Sequence, residues 1–467
     1  MAGEEKIVAK AILEGSLELL SPLLIGSGES SSHEKTEKDI EILKTHEGAP
    51  FIPGTSFIGA LRHRITDQYP GKEKVLFGDQ EHEQSLIRAE DIVFSPDADI
   101  VLRDGVRIDE MLGTAVDGAK YSYEALERGA KASLRLEITL RGMHTEHPAE
   151  WKTAELKSDI LDVLCYLREL LMEGISLGAN TAKGFGHVIV KDARLGLYDF
   201  RQLSAMKSWL TQESPEASKA PKQLMQKSQI TVRNKKEFLV EAEFAICSSL
   251  LIRDNQVNQQ GKSIAVMKRS RHDALIPGTT IKGVLRHRAS SISKKLGYTQ
   301  EYLDTLLGTA EAKAAHGVTE GRIKSRLQVE ESYISLSKNL VEKEITRNRI
   351  DRFTGGTIES ALFTTRPLYQ KDMTKSTVHI CFHIQDATES EAGLALFLLK
   401  DLWQGELTLG GEAGVGRGKL RGIKAVISYA GQKYTIEKDG KVTQGSKEKL
   451  EKYAQSFVDG AKHEKEA

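Results

Sequence analysis

A fourteen-residue segment that occurs twice constrains this chain more than any other feature. Phe51-Ile-Pro-Gly-Thr-Ser-Phe-Ile-Gly-Ala-Leu-Arg-His-Arg64 returns as Leu275-Ile-Pro-Gly-Thr-Thr-Ile-Lys-Gly-Val-Leu-Arg-His-Arg288, with Pro53 over Pro277 at an offset of 277 − 53 = 224 residues. Each copy reads as a strand end, a Pro-Gly break, a Thr N-cap (Thr55, Thr279) and a helix, because threonine ahead of an apolar-periodic run offers its side-chain oxygen to free N–H groups. In the second copy Ile281, Val284, Leu285 and Ala289 form an apolar stripe, while Thr279, Lys282 and Arg286 stand on another face. N–H donors, a hydroxyl and two cations then meet at a helix start, which suits a phosphate. A surface helix with ordinary lysines and arginines gives the same pattern.

Two further anchors recur in the same order. Leu177-Gly-Ala-Asn-Thr-Ala-Lys-Gly-Phe-Gly-His-Val188 lies over Leu409-Gly-Gly-Glu-Ala-Gly-Val-Gly-Arg-Gly-Lys-Leu420, pairing Gly178, Gly184 and Gly186 with Gly410, Gly416 and Gly418 (410 − 178 = 232). Arg107-Ile-Asp109 echoes Arg349-Ile-Asp351. Three anchors in one order mean duplication. The 467 residues also exceed the ~250–300 at which single cores stop growing.

Hydrophobic periodicity fills in each copy. Repeat one has a strand over 11–20, a polar loop over 29–38, a short alternating segment at 39–43 and the Pro-Gly helix. A strand over 86–94, a polar insertion from 95 to about 131, a strand over 132–140, a helix over 158–172 and closing strands over 175–190 follow. Repeat two repeats the order: strand 238–252, helix 280–296, strand 322–335, insertion 338–373, strand 376–384, helix 389–403 and closing strands 407–428. Strand, helix, strand, strand, helix, strand is the order of the ferredoxin-like split βαβ fold. The fold class expected is therefore α+β, with tandem ferredoxin-like (RRM-like, βαββαβ) repeats at 1–195 and 237–430. A polar, Pro-bearing linker at 196–236 separates them, and a charged tail at 431–467 ends in a stretch, 446–467, that forms a helix or stays disordered.

Lys plus Arg equals Asp plus Glu at 66 each, which excludes a uniformly basic nucleic-acid sheath. The distribution is uneven, however. Between residues 260 and 298, Lys262, Lys268, Arg269, Arg271, Lys282, Arg286, Arg288, Lys294 and Lys295 face a single acid, Asp273, a patch of the kind that meets a phosphate chain. Cys165, Cys247 and Cys381 are far apart and form no C-x-x-C pair, as expected of buried thiols in a reducing compartment. The amino terminus shows no signal-peptide pattern and the longest apolar run, 392–399, is too short to span a membrane, so a cytoplasmic protein is expected.

Glycine-rich turns let a ligand approach the backbone, and Arg417, Lys419 and Arg421 add charge beside the second turn. A turn with no ligand reads the same way. A dinucleotide site is excluded because its glycines follow a first strand and open a helix, and no P-loop or nucleophile motif is present. His144-Thr-Glu-His147 is stopped by Pro148 and has no further ligand in view for zinc. His63 and His287 suit hydrogen bonding or stacking on RNA better than acid–base chemistry.

The Ile-Pro-Gly-Thr/Ser-x-x-x-Gly-x-x-Arg segments, the Leu-Gly-x-x-x-x-x-Gly-x-Gly turns and the element order together resemble the RAMP superfamily of CRISPR systems. Within it the likeness is to the Cas seven type of guide-RNA backbone subunit from type III effector complexes, and two units in one chain resemble the fused subunits of the type III-D branch. The resemblance implies a CRISPR RNA and a target RNA as partners, with other effector subunits alongside. The insertions become thumbs that push between guide and target. Phosphate contacts fall on Thr55, Ser56, Arg62, Lys268, Thr279, Lys282, Arg286 and Arg417 and on Gly178, Gly184, Gly186, Gly410, Gly416 and Gly418. Ile58 stands where repeat two has Lys282, a weaker grip.

The resemblance also implies target-RNA cleavage by an Asp ahead of the short strand before the Pro-Gly motif, with Mg²⁺ or Mn²⁺. Asp39 holds that position, as catalytic residue and metal ligand. The same count back from Pro277 reaches Ser263, so repeat two lacks the acid unless Asp254 or Asp273 reaches in. Two other readings stay open: a non-catalytic guide scaffold, and a RAMP endoribonuclease that processes precursor guide RNA through His63 or His287.

Overall fold

The structure, a computed structural model, describes residues 4–27, 39–69, 73–78, 84–109, 115–211, 213, 224, 226–228, 230, 236–257, 263–309 and 323–463. The expected loop 29–38, much of the second half of the expected linker, Lys262 and residues 464–467 lie outside the described residues, as do the side chains of Arg107 and Ser263. The chain divides into two compact units, Met1–Thr181 with Phe185–Asn234, and Lys235–Ala467 with Ala182–Gly184.

Unit one runs β1 (Ile7–Leu19), α1 (Gly54–Gln68), β2 (Ile87–Ala89), β3 (Lys131–Arg141), α2 (Ser158–Glu173) and β4 (His187–Asp199). The sheet order is β2-β3-β1-β4 with Ile175–Ser176 at the edge, and every neighbouring pair is antiparallel. β1 is central because it pairs on both sides, and Val8, Ala9, Ala11, Leu13 and Leu17 are buried. Its register shifts at Gly15, where a Cβ would stand 2.5 Å from Val190 Cγ1, so glycine is needed at this bulge. α1 buries Phe57, Leu61 and Ile65 at fourfold spacing. α2 buries Ile160, Leu161, Leu164, Leu167, Leu170 and Leu171, the stripe its sequence spells.

Unit two repeats the plan with β5 (Phe238–Ile246), α3 (Gly278–Leu296), β6 (Leu327–Val329), β7 (Val378–Ile384), α4 (Glu389–Trp403) and β8 (Leu420–Tyr429). Its sheet order is β6-β7-β5-β8, again antiparallel, extended by the hairpin of Gln432–Glu437 and Val442–Gln444. The fold is therefore mixed α+β, built twice on one strand order.

Several local expectations change. The helices begin at Gly54 and Gly278, with Pro53 and Pro277 as N-caps and no side-chain cap bond, so Thr55 and Thr279 are not caps. Proline fixes φ without an N–H to satisfy, which lets each helix start one residue before its threonine. The irregular stretch 95–131 holds a long antiparallel hairpin, Ile100–Ile108 with Ala115–Leu126. Within the expected linker, β4 continues to Asp199 and a helix covers Leu203–Leu210. The charged tail forms α5 (Lys447–His463), which buries Leu450, Tyr453, Phe457 and Ala461. The Phe457 ring stacks on Tyr298 of unit two with centroids 4.9 Å apart, so the tail completes that unit's core.

Candidate nucleic-acid interface

The glycine-rich turns are superimposable in their hydrogen bonds. In unit one Leu177 N–H donates to Gly186 O, Ala179 to Leu24 O and Gly186 to Pro22 O, at 3.0, 2.8 and 2.7 Å. In unit two Leu409 donates to Gly418 O, Gly411 to Leu251 O and Gly418 to Ser249 O, at 3.0, 2.9 and 2.7 Å. Gly178, Gly184 and Gly186 have φ of 82°, 83° and 76°, and Gly410, Gly416 and Gly418 have 88°, 86° and 80°. A Cβ on Gly186 would lie 1.8 Å from Leu177 O and one on Gly418 2.2 Å from Leu409 O. These glycines serve the turn itself. The N–H groups of Val415, Gly416 and Arg417 are spent on Glu412 O and Ala413 O, so they form no outward phosphate cradle.

The expected cations divide into structural and available groups. Arg417 is 3% exposed: its Nε lies 2.7 Å from Glu412 Oε2, and its Nη atoms donate to Ser249 Oγ and Thr365 Oγ1. This arginine is committed inside unit two, which removes it from the expected phosphate contacts. Arg286 donates to Leu307 O (2.6 Å) and Gly308 O (2.9 Å), and Arg62 donates to Gly78 O (3.5 Å). Both arginines therefore cap the short helix that follows their own, Gln300–Leu307 and Glu73–Phe77. Lys268 pairs with Asp254 at 3.5 Å. Thr55 and Ser56 are exposed and Thr279 is half-buried.

The two Pro-Gly helix starts also differ. In unit one the Gly54 N–H donates to Asp91 Oδ1 at 2.9 Å, so the protein's own carboxylate occupies the place proposed for a phosphate. Gly54 is required there because a Cβ would stand 2.5 Å from Ala89 O. In unit two Lys282 is 8% exposed, and among the described residues no carboxylate is paired with it. Burial first, then the nearby cations Lys183, Arg286 and Lys324, pulls its ammonium down to about 7. Ile58, its counterpart, packs against the core of unit one.

Asp39 is exposed and lies beside the hairpin of unit one. Its Oδ2 accepts from Ser122 N–H at 2.6 Å and from Ser122 Oγ at 3.5 Å. Asp254, the acid considered for repeat two, sits on the strand Arg253–Val257 and is held by Lys268. Among the described residues no three His, Cys, Asp or Glu side chains come together as a metal site. Among the described residues Asp39 is a lone carboxylate with one oxygen already on an amide, fewer oxygen ligands than a resident divalent cation takes. His144 Nδ1 accepts from Arg141 N–H at 2.9 Å, and burial holds its pKa below the ordinary histidine value, so it is part of a local turn.

The insertion of unit two ends in a feature that periodicity did not show. Asp351 Oδ1 accepts from Phe353 N–H, Thr354 N–H and Thr354 Oγ1 at 2.9, 2.8 and 3.1 Å. The Thr354 and Phe353 N–H groups hold its carboxyl below the usual range. The turn so pinned presents Phe353, which is 100% exposed, with Ile350 also exposed. In unit one the hairpin exposes Leu102, Val106 and Ile108. The repeated Arg-Ile-Asp triplet was the available signal.

Comparison with known families decides what this duplicated unit is. The RAMP superfamily matches residues 16–189 and 260–421, most of both units. The chain belongs to the RAMP superfamily. Both matched regions of this RAMP protein contain the Pro-Gly helix, the insertion and most or all of the glycine-rich turn. Among solved structures, a Type III-B Cmr-beta bound to cognate target RNA is similar at 14% identity with a TM-score of 0.30. The likeness covers 40% of this chain and 60% of that one, less than two thirds of its length. No curated protein matches the chain. No helix among the described residues is long and apolar enough to cross a membrane.

Proposed function

We propose that this RAMP protein is a guide-RNA-binding backbone subunit of a type III CRISPR effector complex, working in the cytoplasm with CRISPR RNA, target RNA and other effector subunits. Both units are then ferredoxin-like repeats, over about 1–195 and 237–430, joined as in the type III-D branch, and their insertions act as thumbs. Lys282 is the observation that carries the reading. A buried ammonium without a carboxylate is costly, and a nucleic-acid phosphate beside it and the exposed Lys324 offsets that cost. Phe353 suits stacking on a base, since a fully exposed ring on a pinned turn loses little freedom when it binds.

The test is the salt dependence of single-stranded RNA binding, followed by fluorescence anisotropy near pH 6.5. Affinity should fall steeply with salt, and Lys282→Met should reduce the slope by about 0.7, the loss of one phosphate contact. A flat dependence in the wild type would count against any phosphate grip.

One observation favours cleavage as a second reading: Asp39 is exposed and, among the described residues, its Oδ1 makes no bond. Asp39 would accept the proton of a ribose 2′-hydroxyl whose oxygen attacks the adjacent phosphorus, while the 5′-oxygen leaves and takes a proton from water. The products are a 2′,3′-cyclic phosphate and a 5′-hydroxyl. Asp39→Ala in the assembled complex should remove one cut from the target ladder and leave target affinity unchanged; an intact ladder excludes Asp39.

A further inference from the structure

We infer that Glu412 is a positioning residue that fixes the insertion of unit two, and that the glycine-rich turn serves as the anchor of the insertion in each unit by different chemistry. Glu412 lies on the turn and its carboxylate meets three arginines. Arg417 of the same turn is 2.7 Å away, Arg347 of the insertion strand Ile345–Arg347 is 3.3 Å away, and Arg253 of the strand Arg253–Val257 is 3.2 Å away. Arg417 in turn donates to Thr365 on a second insertion strand, Phe363–Arg366. One carboxylate thus ties the turn, the segment after β5 and two strands of the insertion. The Glu412 side chain is 8% exposed and Arg417 3%, so the pair is shielded from water and its partners are held in one geometry.

Unit one solves the same problem without charge. The offset of 232 places Asn180 under Glu412 and Phe185 under Arg417. Phe185 is buried and its ring meets Tyr123 of the hairpin at 6.0 Å, with Tyr121 stacked on Tyr123 at 5.8 Å. The backbone agrees between the copies: Asn180 and Glu412 have φ of 60° and 63°, and Phe185 N–H donates to Asn180 O as Arg417 N–H does to Glu412 O, each at 3.4 Å. Left-handed φ suits asparagine and is unfavourable for glutamate. The backbone conformation therefore does not account for glutamate at this position, whereas its charge is used on the insertion.

The role in RNA positioning rests on the function proposed above, whereas the anchoring does not, and the experiment separates them. Glu412→Asn copies the other repeat, relieves the backbone and removes only the charge; Glu412→Asp keeps the charge on a shorter arm. Hydrogen exchange of the full chain without RNA should show Leu340–Arg347 and Phe363–Gln370 opening at least about tenfold faster in Glu412→Asn. Ala115–Leu126 of unit one should be unchanged, and Glu412→Asp should recover part of the protection. Equal protection in Glu412→Asn, or faster exchange spread over both units, overturns the anchor. With the complex assembled on target RNA carrying 2-aminopurine, emission should fall in Glu412→Asn only at the nucleotide facing unit two. If exchange changes but no emission changes, the anchor stands and the positioning of RNA is rejected.

Discussion

Lys282→Met should stabilise the RNA-free protein and weaken its hold on RNA, and the two effects have one cause. The ammonium has an ordinary pKa of 10.5 and a folded value of about 7. The folded state therefore binds fewer protons than the unfolded chain between those values, and stability rises with pH across that window. Below pH 7 the penalty is complete. At ~1.4 kcal/mol per pH unit it approaches about 5 kcal/mol there and falls to about 2 kcal/mol by pH 9. Wild-type unit two should thus gain about 2 kcal/mol between pH 7 and pH 9 from this one group. Methionine fills similar space with no charge, so the variant should lack that gain and be the more stable protein at pH 7. Trp403 lies in unit two, while Trp151 and Trp209 lie in unit one. Denaturant unfolding followed by Trp403 fluorescence, with the other two replaced by phenylalanine, reads the difference. Equal pH slopes in wild type and variant would refute the buried-ammonium argument. A phosphate would restore the proton, so RNA binding at pH 8 should take up close to one proton in the wild type and none at this site in the variant.

Other predictions follow from the turns and the insertion. Gly418→Ala should cost more than about 4 kcal/mol or prevent folding of unit two, because its Cβ would overlap Leu409 O at 2.2 Å. Gly416→Ala, with nothing within 4 Å, should cost only the ~1–2 kcal/mol of left-handed backbone, as melting of the two variants would show. Phe353→Ala should leave the melting temperature unchanged, since the ring is fully exposed, and should weaken RNA binding by about 1–3 kcal/mol if the ring stacks on a base.

What the sequence made legible was whatever its own neighbours determine. The stripe of α2 from Ile160 to Leu171 is local, and all six expected positions are buried. The repeated glycines were readable because left-handed φ permits little else. Arg417 and Arg286 were misread for the opposite reason: exposed and committed arginines look alike in sequence. The fate of Arg417 is set by Ser249 and Thr365, far away along the chain, and that of Arg286 by the end of a helix begun after a turn. Asp91 escaped notice because its carboxylate reaches Gly54 N–H across 37 positions. The hairpin 100–126 was missed because much of it is exposed on both faces and so carries little apolar alternation.

The duplication shows which parts of the unit are free to change. Hydrogen bonds from Ala179 and Gly186 recur at Gly411 and Gly418 with the same acceptor positions, Leu24 and Pro22 against Leu251 and Ser249. They involve backbone atoms alone, so they fix glycine only where a Cβ would strike the turn, as at Gly186 and Gly418, and leave the chemistry of the other side chains open. The side chains accordingly diverge in chemistry: Ile58 against Lys282, Asn180 against Glu412, Phe185 against Arg417. In all three pairs unit two carries the ionisable member and unit one the neutral one. If a phosphate chain runs along both units, its electrostatic hold is concentrated on unit two, while unit one has already answered its helix start with Asp91. Moving lysine into unit one, as Ile58→Lys, should then fail to create a second grip unless Asp91 is also replaced. The RNA-binding salt slope should increase in magnitude for Ile58→Lys with Asp91→Asn and stay at the wild-type value for Ile58→Lys alone; the same slope change in both would show that Asp91 does not close that site.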